Sequence, residues 1–358
     1  MKATRHLHEL GQSLWLDNIT RTMLDDGTLE HYVGELSITG LTSNPTIFDH
    51  AITRTDAYDE QIGALTRAGA AAEEAFFELA IADLRRAADL FGPIHARTDG
   101  VDGWVSLEVS PLLADDAGAT IEQARALHAK AGRENLLIKI PGTEAGREAI
   151  ADAVFAGIPV NVTLLFSTEH YLGAADAYLR GVERRIDAGL DPAVGSVASV
   201  FISRWDKAVF DRVGSELRDL LGIAVAKRTY RAYRDVLDSE RWQRLSNAGA
   251  RPQRLLWAST GTKDPDASDV LYIGGLAAPF TVNTMPEKTL LAFAEHGEAG
   301  DPLPADGGDA EEVLGRFAAA GIDVDALAAE LQRDGAKAFD DSWAELIGSI
   351  AAKAQATS

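Results

Sequence analysis

Short apolar runs alternate with longer amphipathic segments along most of the chain. The runs are almost continuously apolar and lie at residues 13–16, 104–107, 136–138, 160–165, 197–202 and 254–258. This pattern is typical of parallel strands that are buried on both faces. The alanine-rich segments have helical spacing and lie at residues 69–91, 119–132, 144–156, 168–188, 204–221 and 287–296. The alternation predicts strand–helix units joined by right-handed crossovers.

Two weaker strands complete the pattern, one within residues 36–43 and one around residues 281–283. Eight strands in about 280 residues match the usual size of a (β/α)8 barrel, the TIM-barrel fold. The alternative is an open, doubly wound sheet, which a glycine-rich phosphate-binding turn after an early strand would favour. The sequence has no such turn, so we predict an α/β fold of the (β/α)8 barrel type.

The chain changes character after residue 297. Residues 298–309 are acidic and contain several glycines and prolines, which predicts a solvated loop. Three helical patterns follow, at residues 309–320, 324–334 and 337–353. Asp323 precedes the second of these helices, and we expect it to cap that helix because Asp is a preferred N-cap residue. The apolar stripes of these helices predict that they pack on the barrel.

Length and composition fit one large domain. With 46% hydrophobic residues among 358, the chain can bury a substantial core. We expect a single domain over residues 1–358, with the barrel at about 10–297 and a helical extension at about 309–355. No apolar run approaches the roughly 20 residues of a transmembrane helix, and the start of the sequence lacks the apolar core of a signal peptide. We therefore expect a cytoplasmic protein, either a monomer or a homodimer.

Charge and cysteine content exclude several kinds of chemistry. The chain has 34 Lys and Arg against 55 Asp and Glu, a formal net charge of −21. Such a surface repels phosphate backbones and anionic lipids, so we expect neither nucleic acid nor membrane as a partner. The sequence has no cysteine, which removes disulfides, thiolate catalysis and cysteine-bound metals. It also lacks a metal or nucleotide motif, so we predict no metal and no cofactor.

Lys139 is the most informative polar residue, because a barrel carries its chemistry at the carboxyl ends of its strands. It has no charged residue among its four nearest neighbours in sequence. One interpretation is a lysine that reaches from a strand end to solvent. The other is a buried amine whose pKa falls through desolvation, so that it attacks a ketone and forms a Schiff base. The protonated imine then accepts the electrons of a breaking carbon–carbon bond.

Two acids occupy similar positions. Asp17 closes the first run and either caps the next helix or serves the site. Glu108 lies within an apolar run, where a carboxylate is unfavourable unless it is paired, so a functional role is favoured. An acid of raised pKa beside the amine suits imine formation and hydrolysis, because both reactions move protons at the carbinolamine.

Amide and hydroxyl groups complete the set of polar residues at strand ends. Asn161 and Thr163 are two residues apart, so both side chains leave the same face of their strand. Ser199 lies in the next apolar run, and Asn44 in Ser43-Asn44-Pro45 is either a turn residue or a ligand.

Basic and hydroxyl groups follow the sixth and seventh strands. Arg204, Ser259 and Lys263, together with backbone N–H groups, would form a phosphate pocket there. For both cations the alternative is a surface salt bridge. From the residues alone, we infer a Schiff-base lyase or transferase that acts on a phosphorylated carbonyl compound.

Four motifs together resemble the transaldolases, in particular their long actinobacterial form. They are TGLTSNPTIF at residues 39–48, VSLEV at 105–109, LIKIP at 137–141 and VNVTLLFS at 160–167. The resemblance covers at least residues 13–295 and implies a (β/α)8 barrel with a permuted strand order. It also implies transfer of a dihydroxyacetone unit from sedoheptulose 7-phosphate to glyceraldehyde 3-phosphate, in the non-oxidative pentose phosphate pathway. The products would be erythrose 4-phosphate and fructose 6-phosphate.

The resemblance implies roles for the catalytic residues. Lys139 would form the Schiff base with the ketose, and Asp17 would take the proton of the C4 hydroxyl during cleavage. Glu108 would move protons through a water molecule held by Thr163.

It also implies roles in substrate binding. Asn44 and Asn161 would hold the hydroxyls of the dihydroxyacetone unit, with Ser199 close by, whereas Arg204 and Ser259 would bind the phosphate. Transaldolases commonly have an arginine two residues after the serine that corresponds to Ser259, and this chain has glycine there. We expect Lys263 to supply the second cation.

Two alternatives remain from the sequence. Related small fructose 6-phosphate aldolases release free dihydroxyacetone, but they carry Gln in place of Glu108 and Tyr in place of Phe201, and they are much shorter. Glu108 and Phe201 therefore favour the transferase, in which water is kept from the covalent intermediate. A non-catalytic sugar-phosphate binder would be expected to lack the lysine or one of the acids, and this chain has all three.

Overall fold

Eight parallel strands form one sheet at the centre of the protein. The computed structural model describes residues 2–356, and its strands are β1 (Ser13–Asp17), β2 (Ile38–Thr42), β3 (Val105–Glu108), β4 (Leu136–Pro141), β5 (Val160–Leu165), β6 (Ser196–Phe201), β7 (Gln253–Ala258) and β8 (Val282–Met285). Their order is β2-β1-β8-β7-β6-β5-β4-β3. Every apolar run that predicted a strand contributes one.

Contacts between β2 and the residue before β3 close the sheet into a ring. Gly40 forms a parallel bridge with Trp104, and the Leu41 amide donates to the Trp104 carbonyl at 2.9 Å. A Cβ atom on Gly40 would lie 2.7 Å from that carbonyl oxygen and 2.8 Å from the Trp15 ring, so only glycine allows this approach. The predicted (β/α)8 barrel is confirmed, and the open sheet is excluded.

Helices follow the strands and surround the ring. They are α1 (Ala3–Glu9), α2 (Arg21–Asp25), α3 (Thr28–Glu35), α4 (Pro45–Arg54), α5 (Asp59–Arg67), α6 (Ala72–Arg97), α7 (Ala117–Ala131), α8 (Glu144–Phe155), α9 (Thr168–Asp187), α10 (Ser203–Val209), α11 (Leu221–Asp238), α12 (Glu240–Asn247), α13 (Leu271–Gly274), α14 (Glu287–His296), α15 (Ala310–Ala319) and α16 (Val324–Ala356). Between residues 2 and 356, none has the length and apolar character needed to cross a membrane.

The helix predicted over residues 204–221 is wrong, because the chain breaks there into α10 and the start of α11. Asp206 explains the break. Its buried carboxylate accepts hydrogen bonds from the Leu221 amide at 2.8 Å and the Gly222 amide at 3.1 Å. These amides begin α11 and have no partner within their own helix, so the side chain from α10 replaces the missing bonds.

The two helices predicted at 324–334 and 337–353 form one continuous helix, α16. Asp323 caps it as predicted, because its Oδ1 accepts from the amides of Asp325 at 3.1 Å and Ala326 at 3.0 Å. Gly335 does not end the helix, although glycine in a helix interior costs about 1 kcal/mol relative to alanine. One buried stripe crosses that position and offsets the cost, formed by Leu331, Gly335, Phe339, Trp343, Leu346 and Ile350.

Candidate active site

A cavity of about 140 Å³ opens at the carboxyl ends of the barrel strands. Nine predicted site residues line it: Asp17, Asn44, Lys139, Thr163, Ser199, Phe201, Arg204, Ser259 and Lys263. The other two, Glu108 and Asn161, are buried behind this wall and hydrogen-bond to residues around it. The barrel therefore brings all eleven side chains together from seven strands, β1 to β7, and the segments that follow them.

Lys139 projects from β4 and is only 6% exposed, so it does not reach solvent. Its Nζ donates to Glu108 Oε2 at 3.1 Å and to the Ser43 carbonyl at 3.2 Å. The register of the parallel strands explains the first contact, because Glu108 at the end of β3 pairs with Lys139 on β4. The acid predicted to lie beside the amine is therefore within direct proton-transfer distance.

Glu108 is held in a dry environment. Burial raises the pKa of its carboxyl, and the charge of Lys139 partly opposes that shift. Its second oxygen, Oε1, is buried without a hydrogen-bond partner among residues 2–356, and so is Thr163 Oγ1 in the cavity wall. Buried polar atoms normally have a partner, so the unpaired atoms on Glu108, which contacts Lys139, and on Thr163, in the wall of the same cavity, indicate a place where a water or substrate atom binds.

Asp17 ends β1 and points into the cavity. It does not cap the following helix, because Thr20 caps α2 through the Met23 amide. Burial raises the pKa of Asp17, while the charge of Lys139 and the Thr42 hydroxyl lower it. Thr42 Oγ1 donates to Asp17 Oδ1 at 2.7 Å and in turn contacts Thr284 Oγ1 at 2.7 Å. Asp17 is therefore a positioned carboxylate that is suited to accept a proton.

The amide side chains differ in how freely they reach the cavity. Asn44 lines it and also caps α4, because its Oδ1 accepts from the Ile47 amide at 3.0 Å, so the turn interpretation is correct as well. Asn161 is fully buried, with Nδ2 donating to Ser106 Oγ at 3.1 Å and Oδ1 accepting from Ser199 Oγ at 2.7 Å. Ser199 thus stands between Asn161 and the cavity.

A cationic region lies on another side of the cavity. Burial lowers the pKa of Lys263, and the nearby charges of Lys207 and Arg204 lower it further. Burial also lowers the pKa of Arg204. Neither Arg204 nor Lys263 forms a salt bridge or a side-chain hydrogen bond within the described part of the chain, so the salt-bridge alternative fails for both, although the charge of Asp17 acts on Lys263. Cations that repel one another and are not ion-paired form a site for an anion.

Ser259 faces these cations and has an uncommon backbone conformation. Its φ of 54° lies in the left-handed region, and its Oγ contacts Ser203 Oγ at 3.0 Å. Residues other than glycine rarely adopt this conformation, and those that do are frequently found at functional sites. A Cβ atom added to Gly261 would lie 3.9 Å from Lys263 Nζ, so the amine of Lys263 lies next to the glycine of this loop.

Sequence reasoning missed several residues in the wall, among them Thr42, Thr284 and Phe339. Thr42 and Thr284 lie at the carboxyl ends of β2 and β8, so the rule that identified Asp17 applies to them too. Phe339 gave no signal, because an apolar residue on an amphipathic helix is indistinguishable from a core residue.

A larger cavity, of about 650 Å³, opens at the amino ends of the strands. It contains none of the predicted residues, and its acid and arginines are already hydrogen-bonded. Asp102 accepts from Trp15 Nε1 at 2.8 Å, and Arg254 donates to the carbonyls of Val101 and Thr281 at 2.9 Å each. Gln12 Oε1 in its wall is buried without a partner among residues 2–356, but it carries no charge. Active sites of such barrels lie at the opposite end, and the two cations without a salt bridge lie there as well.

The fold and the site together define a (β/α)8-barrel enzyme with a buried lysine at its centre. A sequence model of the transaldolase/fructose-6-phosphate aldolase family matches residues 14–350. Relatives named transaldolase include one from Frankia alni, 44% identical over 96% of this chain and 95% of its own length. Another, from Thermobifida fusca, is 44% identical over 97% of both. The chain belongs to this family, which confirms the resemblance given by its motifs.

Proposed function

We propose that the protein is a transaldolase. It transfers a dihydroxyacetone unit from sedoheptulose 7-phosphate to glyceraldehyde 3-phosphate and produces erythrose 4-phosphate and fructose 6-phosphate, a step of the non-oxidative pentose phosphate pathway. The observation that carries the proposal is the buried contact between Lys139 and Glu108, 3.1 Å long. It lies beside a cavity that also holds Asp17 and two cations that form no salt bridge among residues 2–356. The relatives named transaldolase support the same activity.

The reaction begins when the Lys139 amine attacks the ketone carbon of the donor sugar. Water leaves the carbinolamine and a protonated imine forms. Asp17 takes the proton of the C4 hydroxyl, the C3–C4 bond breaks, and its electrons enter the imine to form an enamine. After the aldose leaves, the enamine attacks the acceptor aldehyde, and Asp17 returns its proton to the new hydroxyl. Hydrolysis of the imine then releases the product ketose and restores the amine.

Glu108 moves protons as the imine forms and breaks. One carboxylate oxygen contacts Lys139, while the other is buried without a partner, as is Thr163 Oγ1. A water molecule bound by both atoms would satisfy them and lie beside the reacting carbon. Burial raises the pKa of Glu108, and this makes the carboxyl a better proton donor near neutral pH.

Arg204, Lys263 and Ser259 bind the phosphate, whose negative charge relieves the repulsion between the two cations. Asn44 and Ser199 contact the hydroxyls of the dihydroxyacetone unit, and Asn161 contributes through its hydrogen bond to Ser199. The acidic surface disfavours nucleic acid and anionic membranes as partners, and a sugar phosphate binds against that field through the local cations of the cavity. We expect the protein to be cytoplasmic and to be a monomer or a homodimer. Light scattering of the purified protein distinguishes the two oligomeric states.

Borohydride reduction in the presence of fructose 6-phosphate tests the proposed function. A transaldolase retains the three-carbon unit after glyceraldehyde 3-phosphate leaves, so peptide mass mapping should find a reduced dihydroxyacetone adduct on Lys139. A Lys263→Met variant, which keeps Lys139, should still form it. A folded protein without any adduct would contradict the mechanism and leave a sugar-phosphate binder as the better description.

An aldolase that releases free dihydroxyacetone is the second candidate, since the matching family includes fructose 6-phosphate aldolases. Phe201 disfavours it, because its ring lies in the cavity wall 5.4 Å from the Phe166 ring and keeps that wall apolar. Measuring the free dihydroxyacetone formed per transfer event distinguishes the two activities. A transaldolase should release little, whereas an aldolase should release one molecule for each donor cleaved.

A further inference from the structure

Among residues 2–356, Phe339 is the one residue in the cavity wall that comes from outside the barrel strands and the segments directly after them. It lies on α16, is 7% exposed, and places its ring centroid 5.4 Å from Lys139 Nζ. The ring also contacts Phe201 edge-on, with the two centroids 6.5 Å apart. A part of the chain two hundred residues distant in sequence thus covers the reactive amine.

The position of Phe339 is fixed by contacts on both sides of it along α16. Before it, Gln332 Nε2 donates to the Leu164 carbonyl at 2.9 Å, at the irregular end of β5. After it, the Trp343 ring packs edge-on against Phe76 at 5.1 Å, and Ser349 Oγ donates to Asp49 Oδ1 at 2.7 Å. The helix is therefore held against the barrel rather than resting loosely over the cavity.

Gly335, one turn before Phe339, allows this close approach. A Cβ atom there would lie 3.0 Å from Leu164 Cδ2 and 3.3 Å from a terminal nitrogen of Arg204. The same face of α16 therefore passes the cation region at Gly335 and the amine at Phe339.

We propose that Phe339 shields the covalent intermediate from water and so determines that the dihydroxyacetone unit is transferred rather than released. This inference rests on the proposed function. In the competing reaction, the enamine carbon takes a proton, water adds to the imine carbon, and the C–N bond breaks. Free dihydroxyacetone then leaves, and Lys139 regains its amine. The Phe339 ring offers no hydrogen bond to a water molecule and covers the approach to the nitrogen from the side of α16.

The test measures free dihydroxyacetone against sedoheptulose 7-phosphate, with fructose 6-phosphate as donor and erythrose 4-phosphate as acceptor. In Phe339→Ala the ratio of released dihydroxyacetone to transferred product should rise several-fold. Phe339→Val should give a smaller increase and Phe339→Leu the smallest, because these side chains leave less space for water. Leu346→Ala is the matched control, because Leu346 is buried on the same helix two turns further on and does not line the cavity. It should loosen α16 packing without changing the ratio.

The outcomes separate this inference from the proposed function. If the wild-type protein transfers the unit and all three Phe339 variants keep its ratio, the shielding role is wrong and the transaldolase activity stands. An equal rise in Leu346→Ala would also overturn it, because general loosening of the helix would then be the cause. If the wild-type protein neither transfers nor forms the adduct on Lys139, the proposed function fails first. The Val and Leu variants keep the test decisive if the alanine variant does not fold.

Discussion

The two ends of the barrel differ in how their charged groups are paired. The amino-end cavity, about 650 Å³, has the greater volume, yet Asp102 and Arg254 in its wall are hydrogen-bonded to neighbours, and its unpaired atom, Gln12 Oε1, is uncharged. The carboxyl-end cavity, about 140 Å³, contains Arg204 and Lys263, which form no salt bridge among residues 2–356, and adjoins the unpaired oxygen of Glu108. Unpaired charged groups, rather than volume, therefore identify the candidate site of this protein.

Lys139→Ala should have the largest effect of any substitution at the carboxyl end. Turnover should fall by at least about a thousandfold, because Lys263, the other amine in the cavity wall, lies in the cation region and is not hydrogen-bonded to Glu108 as Lys139 is. The fold should remain, as judged by circular dichroism. Activity close to wild type in a preparation free of host enzyme would contradict the assignment of this end as the active site.

Glu108→Gln keeps the shape of the side chain but removes its ability to exchange a proton. We expect kcat to fall by about 10²- to 10⁴-fold, the usual contribution of general acid–base catalysis, with little change in KM. Single-turnover measurements of imine formation check this directly. A pure rise in KM with unchanged kcat would show that Glu108 binds substrate instead.

Arg204→Ala should lower kcat/KM for phosphorylated substrates by about 10- to 100-fold, the effect of losing one charge-assisted contact. A donor without phosphate should be affected much less, because the lost partner is the phosphate. Lys263→Ala should act in the same direction. An equal loss of kcat/KM with phosphorylated and unphosphorylated donors would show that Arg204 does not bind the substrate phosphate.

Thr42→Val should shift the pH profile of kcat/KM. Asp17 must be deprotonated to accept a proton, so activity falls as the pH drops through its pKa, which burial raises above the ordinary value. The Thr42 hydroxyl lowers that pKa. Its loss should therefore move the acid limb to higher pH, by less than about one unit. An acid limb that stays in place or moves to lower pH would exclude Asp17 as the titrating group.

Asp102→Asn, at the amino end, should have the smallest effect on activity. It leaves the buried guanidinium of Arg254, 3.9 Å away, without a negative charge, so the free energy of unfolding should fall by up to about 3 kcal/mol. Steady-state kinetics at a temperature where the variant is folded should match wild type. A specific loss of kcat would mean that the two ends of the barrel are coupled.

Local pattern predicted the barrel and where most residues of its candidate site lie. Buried parallel strands are continuous apolar runs, and their carboxyl ends converge in a closed barrel, so Asp17, Glu108 and Lys139 were found from sequence position alone. Even the uncertain strand near residues 281–283 is present as β8. The helix predicted over residues 204–221 was wrong, because the Asp206 side chain replaces helical hydrogen bonds and no pattern of apolar residues records that.

The chemical groups at the strand ends follow from the amino-acid sequence, because residue alternation and strand order fix where those side chains point. Which of these groups remain unpaired, and which side chains cover them, depends on tertiary packing. Phe339 reaches Lys139 because α16 docks through contacts with Leu164, Phe76 and Asp49 that are far apart in sequence. Such contacts depend on how complete elements pack, and an apolar position on a helix is the same in sequence whether it faces a core or a reactive amine.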